Sequence, residues 1–257
     1  MSQNDSPVEG AGPTTEPNRR SFLSWTVKAT AIAVPAVVLA SSASAQEEIS
    51  AMNSRGHGHG HGNGNGRGHL GRPLPELYRH QNREFFHEIQ SDENAHVPFL
   101  IHALGGVTGE TPGGLARPKP TFQGLQATDY KDFLRLSALF ENTGAGAYQG
   151  ATPIIFDKGV LIKAASIAFV EAFHSGYLNT LSHSTIVPTG ASFAPALTKE
   201  EVAAGLTPYI VSLNGGPPAD FSLTPSAQND VAIVNFALIA EYLEQEFYNL
   251  NVPIFYP

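Results

Sequence analysis

The chain has 257 residues, enough for one domain with a full core plus appendages, and carries a net charge of −8 with a pI near 5.6. Nothing in that balance suggests a nucleic-acid partner. There is no cysteine, which excludes disulfides, thiolate zinc sites and iron–sulfur clusters; any metal must use oxygen and nitrogen ligands, the set that suits non-haem iron, manganese or zinc.

Residues 1–45 have the form of a targeting segment. Asn18-Arg19-Arg20-Ser21-Phe22-Leu23-Ser24 leads into a modestly apolar run, TVKATAIAVPAVVLASS, and then Ala43-Ser44-Ala45 before Gln46. This is the pattern of a twin-arginine signal peptide with an A-x-A cleavage site, so the expected location is periplasmic or extracellular. Lys28, Pro35 and the Ala/Ser-rich end make the run too weakly apolar for a comfortable span, and no membrane attachment is expected after cleavage. The twin-arginine route carries folded, often cofactor-loaded proteins, which suits a metal centre assembled before export.

Residues 46–75 read as a flexible linker. Glycine at every second place in RGHGHGHGNGNGRGHL forbids stable helix and leaves nothing to bury. His57, His59, His61 and His69 form a weak peripheral metal-collecting tract at most; a solvated spacer is the plainer reading.

From residue 76 to 257 the pattern is helical. The first helix is expected over Glu76 to Leu104, with Phe86, Ile89, Glu93, His96 or Val97, and Leu100 on one face and Pro98 kinking it or removing a backbone bond. Residues 105–126 have no periodicity and read as a connection long enough to return along the whole bundle. The second helix, about Thr128 to Gln149, aligns Leu134, Ala138, Glu141, Ala145 and Tyr148. Its Gly144 and Gly146, unfavourable in a helix, imply that something bulky or a neighbouring backbone passes close. After a short link at Asp157-Lys158-Gly159 the third helix turns Ala164, Ile167, Ala168, Glu171, His174 and Leu178 inward. Residues 184–228 form a second long connection with a short helix at Thr198 to Ile210, opened by a capping box. The last helix, Asn229 to Leu250, sets Val234, Ala237, Glu241, Glu244 or Gln245, and Tyr248 on one side, and Val252-Pro253 ends it.

Two of these helices carry Glu-x-x-His, Glu93/His96 and Glu171/His174, a spacing that stacks carboxylate and imidazole on one face. The other two carry a lone acid in an apolar stripe, Glu141 and Glu241. One Glu from each of two helices plus Glu-x-x-His from two more is the ligand inventory of a di-iron or di-manganese carboxylate bundle. Four converging carboxylates repel one another and are driven to protonate; two divalent cations neutralise all four. Two divalent metal ions, iron or manganese, are therefore the expected cofactors.

The segments DENAHVPFL, LFENTGAGAYQGATPII, AFVEAFHSGYL and NFALIAEYLEQEFYNL resemble the bacterial and fungal ferritin-like proteins grouped with desiccation- and stress-related proteins. The resemblance covers most of residues 76–257 and implies an all-α, ferritin-like four-helix bundle. The order differs: NFALIAEYLEQEFYNL resembles the family's first helix but stands last, as after a circular permutation. Carried over by motif, Glu93 and Glu171 resemble bridging carboxylates, Glu141 and Glu241 terminal ones, and His96 and His174 bind one metal each. Glu241 is preferred to Glu244 because a tyrosine two turns later, Tyr248, matches the ferritin pattern, and Glu244 stays open as a ligand. Tyr148 and Tyr248 read first as packing residues with a hydrogen-bonding tip; a place at the metals, as ligands or in contact with the ligands, or a radical or gating role there, is the alternative.

The implied function is an exported di-metal protein that handles iron or manganese, or oxygen or peroxide, in stress protection. Ferroxidase-like and catalase-like oxidoreductase chemistry both suit the ligands. The alternative is a non-catalytic stress or surface binding module with structural metal or none. An oligomer is compatible with the sequence, although a storage shell fits the long connections less well.

Overall fold

The structure, a computed structural model, describes residues 70–108 and 119–257. The expected signal peptide and His57, His59, His61 and His69 of the arm lie outside the described residues.

Local chemistry sets where each helix starts. His80 has φ +69, a left-handed backbone that stops helix from running back to Glu76, so α1 spans Gln81–Thr108. Asp129 caps α2, Tyr130–Ala151, by accepting from Asp132 N at 2.8 Å. Asp157 does the same for α3, Lys158–Leu181, through Val160 N at 3.0 Å. Thr198 and Glu201 form the expected capping box of α4, Lys199–Leu206. That helix is shorter than expected, because a 3-10 turn at Thr207–Tyr209 breaks it. Ser226 caps α5, Ala227–Phe255, through Asn229 N at 3.0 Å and so starts it two residues early.

One proline does not do what the sequence suggests: Pro253 lies inside α5 and does not end it, while α1 continues through Pro98 as expected. Each ring sits on an exposed face, as do Asn249 and Asn94 four residues before. The carbonyls that lose their partner can face water, and the helix survives the missing bond. The connections also hold a two-stranded sheet that the pattern did not reveal. In it β1, Thr121–Phe122, pairs antiparallel with β2, Ile210–Ser212; strands this short leave no period to read.

The four long helices close a ring in which α1 packs on α5, α5 on α2, α2 on α3 and α3 on α1. His87 meets the backbone of Tyr256 at 2.9 Å, while Asn94, about two turns on, meets Asn249. Thus α1 and α5 are antiparallel. By the same test Tyr148 reaches Glu241 and Tyr248 reaches Glu141, so α2 and α5 are antiparallel too. It follows that α1 and α2 run the same way, and the connection between them must return the length of the bundle, as expected.

Buried polar side chains anchor the ends. Asn251 accepts from Ala127 N at 2.8 Å and donates to Leu125 O at 2.8 Å, which pins the entry to α2 against α5. Asp230, fully buried, accepts from Phe156 N and Asp157 N at 2.8 and 2.7 Å and fixes the α2–α3 link. Gly146 and Gly150 lie under Leu197, whose N–H donates to Gly146 O at 2.9 Å. For Gly146 the close neighbour that the sequence implied is therefore the second long connection. Among the described residues no helix is long and apolar enough to cross a membrane.

The core has two apolar clusters. One gathers Phe86, Phe133, Phe140, Phe247, Val252 and Phe255; the other gathers Leu100, Leu104, Ile167, Val234 and Leu238. Between them each long helix contributes charged side chains. A charged layer crosses the middle of an otherwise apolar bundle.

Candidate metal centre

The inward stripes predicted from the sequence place six residues in this layer. Glu93, Glu141 and Glu171 are fully buried, Glu241 is nearly so, and His96 and His174 are 7% and 6% exposed. They form two groups of four whose ligand atoms lie within 4.8 Å of one another. One is Glu93, Glu141, Glu171 and His174; the other is Glu93, His96, Glu171 and Glu241. Glu93 and Glu171 belong to both. The two Glu-x-x-His helices, α1 and α3, supply the shared carboxylates, and α2 and α5 supply one further carboxylate to each group.

The imidazoles point Nδ1 at the carboxylates. His96 Nδ1 lies 3.2, 3.2 and 3.1 Å from Glu93 Oε2, Glu171 Oε1 and Glu241 Oε2. His174 Nδ1 lies 3.3 and 3.1 Å from Glu93 Oε1 and Glu141 Oε2. Without a metal these rings act as the counter-charge. Burial opposes protonation of His96, yet the carboxylates of Glu171, Glu241 and Glu93 outweigh it and hold the imidazolium far above its usual range. Burial likewise opposes His174, but Glu141 and Glu93 push its pKa up to about 12. Burial and the repulsion of Glu141 raise Glu93 to about 7. Burial and Glu93 keep Glu171 well above the carboxylate range. Glu141 goes the other way: burial works against ionisation, but the His174 charge and the Tyr248 hydroxyl lower its pKa.

Both tyrosines are hydrogen-bond donors to this layer as well as packing residues. Tyr248 Oη, on α5, donates to Glu141 Oε1 on α2 at 2.6 Å, and Tyr148 Oη, on α2, donates to Glu241 Oε1 on α5. Each terminal carboxylate thus keeps one oxygen for the tyrosine and turns the other to a histidine.

Two residues complete the surroundings. Asp92 Oδ2 lies 3.1 Å from His174 Nε2, on the side of the ring away from the cluster, and is 37% exposed. Sequence reasoning missed it, because an acid beside Glu93 falls off the inward stripe. Only its place in DENAH, next to a candidate ligand, could have drawn attention. Glu244 is buried at 2% exposure but belongs to neither group of four. Burial and the nearby Glu93 and Glu241 raise its pKa well above the usual range, which fits a neutral acid beside the pair. Gly144 explains how Glu171 is accommodated: a Cβ there would sit 2.7 Å from Glu171 Oε2 and 3.3 Å from Glu244 Oε1.

The donor set fits divalent metal. Glu171 Oε2 is buried with no hydrogen bond and no ion pair, while Glu93 Oε1 and Glu171 Oε1 have only their contacts with the imidazoles, and a buried carboxylate oxygen in that condition is costly unless it coordinates or pairs. Carboxylate and imidazole in this ratio suit iron, manganese or zinc. No curated protein and no solved structure matches the chain. The family model for the ferritin-like domain matches residues 26–184, which take in α1, α2 and α3 with Glu93, His96, Glu141, Glu171 and His174. That match spans more than half of the 257 residues, and the chain belongs to the ferritin-like domain family.

Proposed function

We propose that the bundle holds two divalent metal ions, iron or manganese, and acts on dioxygen or peroxide. Glu93 and Glu171 are assigned as the carboxylates shared by both ions, Glu141 with His174 as the further ligands of one, and His96 with Glu241 as those of the other. The observation that carries this is the pair of four-residue groups with two members in common. When bound, such ions supply Lewis acidity and electrons for reducing a small oxidant. The chain's own part is to fix the carboxylates through Tyr148 and Tyr248, orient the His174 ring through Asp92, and exclude bulk water with the apolar clusters on either side.

The finer reading is an exported, stress-related protein with permuted helix order. A ferritin-like bundle has one long crossover, whereas this chain has two bundle-length connections, before α2 and before α5. A link added by permutation accounts for the second. The family match ends at residue 184, before the helix that carries Glu241, in keeping with that reading.

Iron- or manganese-loaded protein should consume hydrogen peroxide, or oxidise added ferrous iron, well above the metal-free protein, and Glu171→Gln should abolish the gain. Full metal content with no turnover of either substrate would leave the bundle as a binding module.

A further inference from the structure

Helix α3 is apolar on the side away from the metal layer as well as on the side toward it. From Ala164 to Leu181 its only charged or titratable side chains besides Tyr177 are Glu171 and His174, both turned inward and buried. The outer face carries Ile162, Ser166, Phe169, Phe173 and Thr180, which recur at helical spacing along one strip. Ile162 is 70% exposed, Phe169 66% and Phe173 75%. The strip continues beyond the helix: Ile186, 66% exposed, lies over Gly176, where a Cβ would come within 3.3 Å of it. On the adjacent α1, Phe99 is also exposed, and the pairing of Glu93 with His174 and His96 with Glu171 brings it level with the middle of the strip.

A helix that is apolar all round is normally covered on every side. Among the described residues only the inner half is covered. The Phe rings bury on the order of 150 Å² or more each when covered. With Ile162, Ile186 and Phe99 the strip offers roughly 500 Å² per chain, so these side chains alone would bury roughly 1,000 Å² between two copies, the lower bound for a biological interface.

We infer that α3 pairs with α3 of a second copy of this chain across a two-fold axis near Phe169 and Phe173. Two features select a second copy over an unlike partner. Charge is confined to the edges of the face, at Lys158 one turn before Ile162 and at Asp92 two turns before Phe99, with none between the two Phe rings, and the large side chains alternate with Ala165, Ser166 and Ala172, so that an antiparallel copy sets rings against small residues on both sides. The inference is independent of the metal reading, since none of these side chains belongs to the charged layer.

Sedimentation velocity on the full chain across a concentration series tests it. The expected result is a dimer that Phe169→Glu with Phe173→Glu converts to monomer, raising the dissociation constant about 100-fold or more, with helix content and metal content unchanged. Because the chain has no cysteine, Ala172→Cys gives a second reading: a short bis-maleimide should link two chains through this position alone. A wild-type monomer up to about 100 µM, weaker than a specific dimer, overturns the inference, as does a dimer that survives the double substitution or fails to cross-link. A monomer that floats with phosphatidylglycerol vesicles assigns the face to a lipid surface instead. One that dimerises only after removal of residues 1–69 assigns it to the chain's own N-terminal run. Either result also overturns the inference.

Discussion

Tyr248 on α5 donates a hydrogen bond to Glu141 on α2 at 2.6 Å, and one α2 turn pair away Tyr148 returns the same service to Glu241 on α5. In both helices the tyrosine follows its glutamate by seven residues, so a single antiparallel register makes both bonds. Each fixes a carboxylate that the helix backbone alone would leave free to rotate.

Tyr248→Phe keeps the ring packing and deletes only the hydroxyl, leaving Glu141 Oε1 buried without a donor. Equilibrium urea unfolding of metal-free protein should show a loss of about 1–3 kcal/mol, and metal binding on the Glu141/His174 side should weaken. Unchanged stability would mean that Glu141 finds another donor or that the bond carries nothing.

Asp92 gives the two histidines unequal surroundings. His174 Nε2 has an acceptor at 3.1 Å, while among the described residues none takes His96 Nε2. Asp92→Ala should weaken one of the two metals by about 10–100-fold and spare the other, and Asp92→Glu should restore part of it. Cobalt titration followed by visible absorption separates the two steps. Equal weakening of both ions would contradict the assignment of Asp92 to one side.

Gly144 and Gly150 test two different contacts on α2. Gly144→Ala would press a methyl on Glu171 Oε2, displacing a shared carboxylate and costing about 1–3 kcal/mol together with metal affinity. Gly150→Ala would run into the backbone of Leu197, with a similar loss of stability and metal content retained. Urea melts paired with metal analysis distinguish the outcomes.

Metal binding should release protons. In the metal-free layer the surrounding carboxylates favour the protonated form of both imidazoles, with His174 pushed up to about 12 and His96 also raised, and burial with Glu93 raises Glu171. Metal must displace these protons, so affinity falls as pH falls and rises as pH rises. With both imidazoles giving up a proton, the overall constant for two ions should climb by about 100-fold or more per pH unit between pH 6 and 8. Calorimetry in buffers of different ionisation enthalpy would count the protons directly, and a pH-independent constant would contradict the arrangement.

The sequence made the centre legible because its ligands obey helical spacing. Glu93 with His96 and Glu171 with His174 sit three apart inside apolar stripes, and Glu141 and Glu241 interrupt stripes that are otherwise uncharged. What escaped depends on contacts between helices. Asp92 matters only because His174 arrives from α3, and Glu244, which the sequence left open as a ligand behind Glu241, lies off both groups. Pro253 misled at the end of α5 because exposure, which the pattern does not encode there, decides whether a lost backbone bond is tolerated.

The most direct measurement is metal analysis by mass spectrometry of protein isolated from its native host with the His/Gly arm deleted, beside the same chain carrying Glu171→Ala and His174→Ala. About two iron or manganese ions per chain in the first sample, with both lost from the second, is the expected result. Substoichiometric metal that the double substitution leaves unchanged would contradict a di-metal centre.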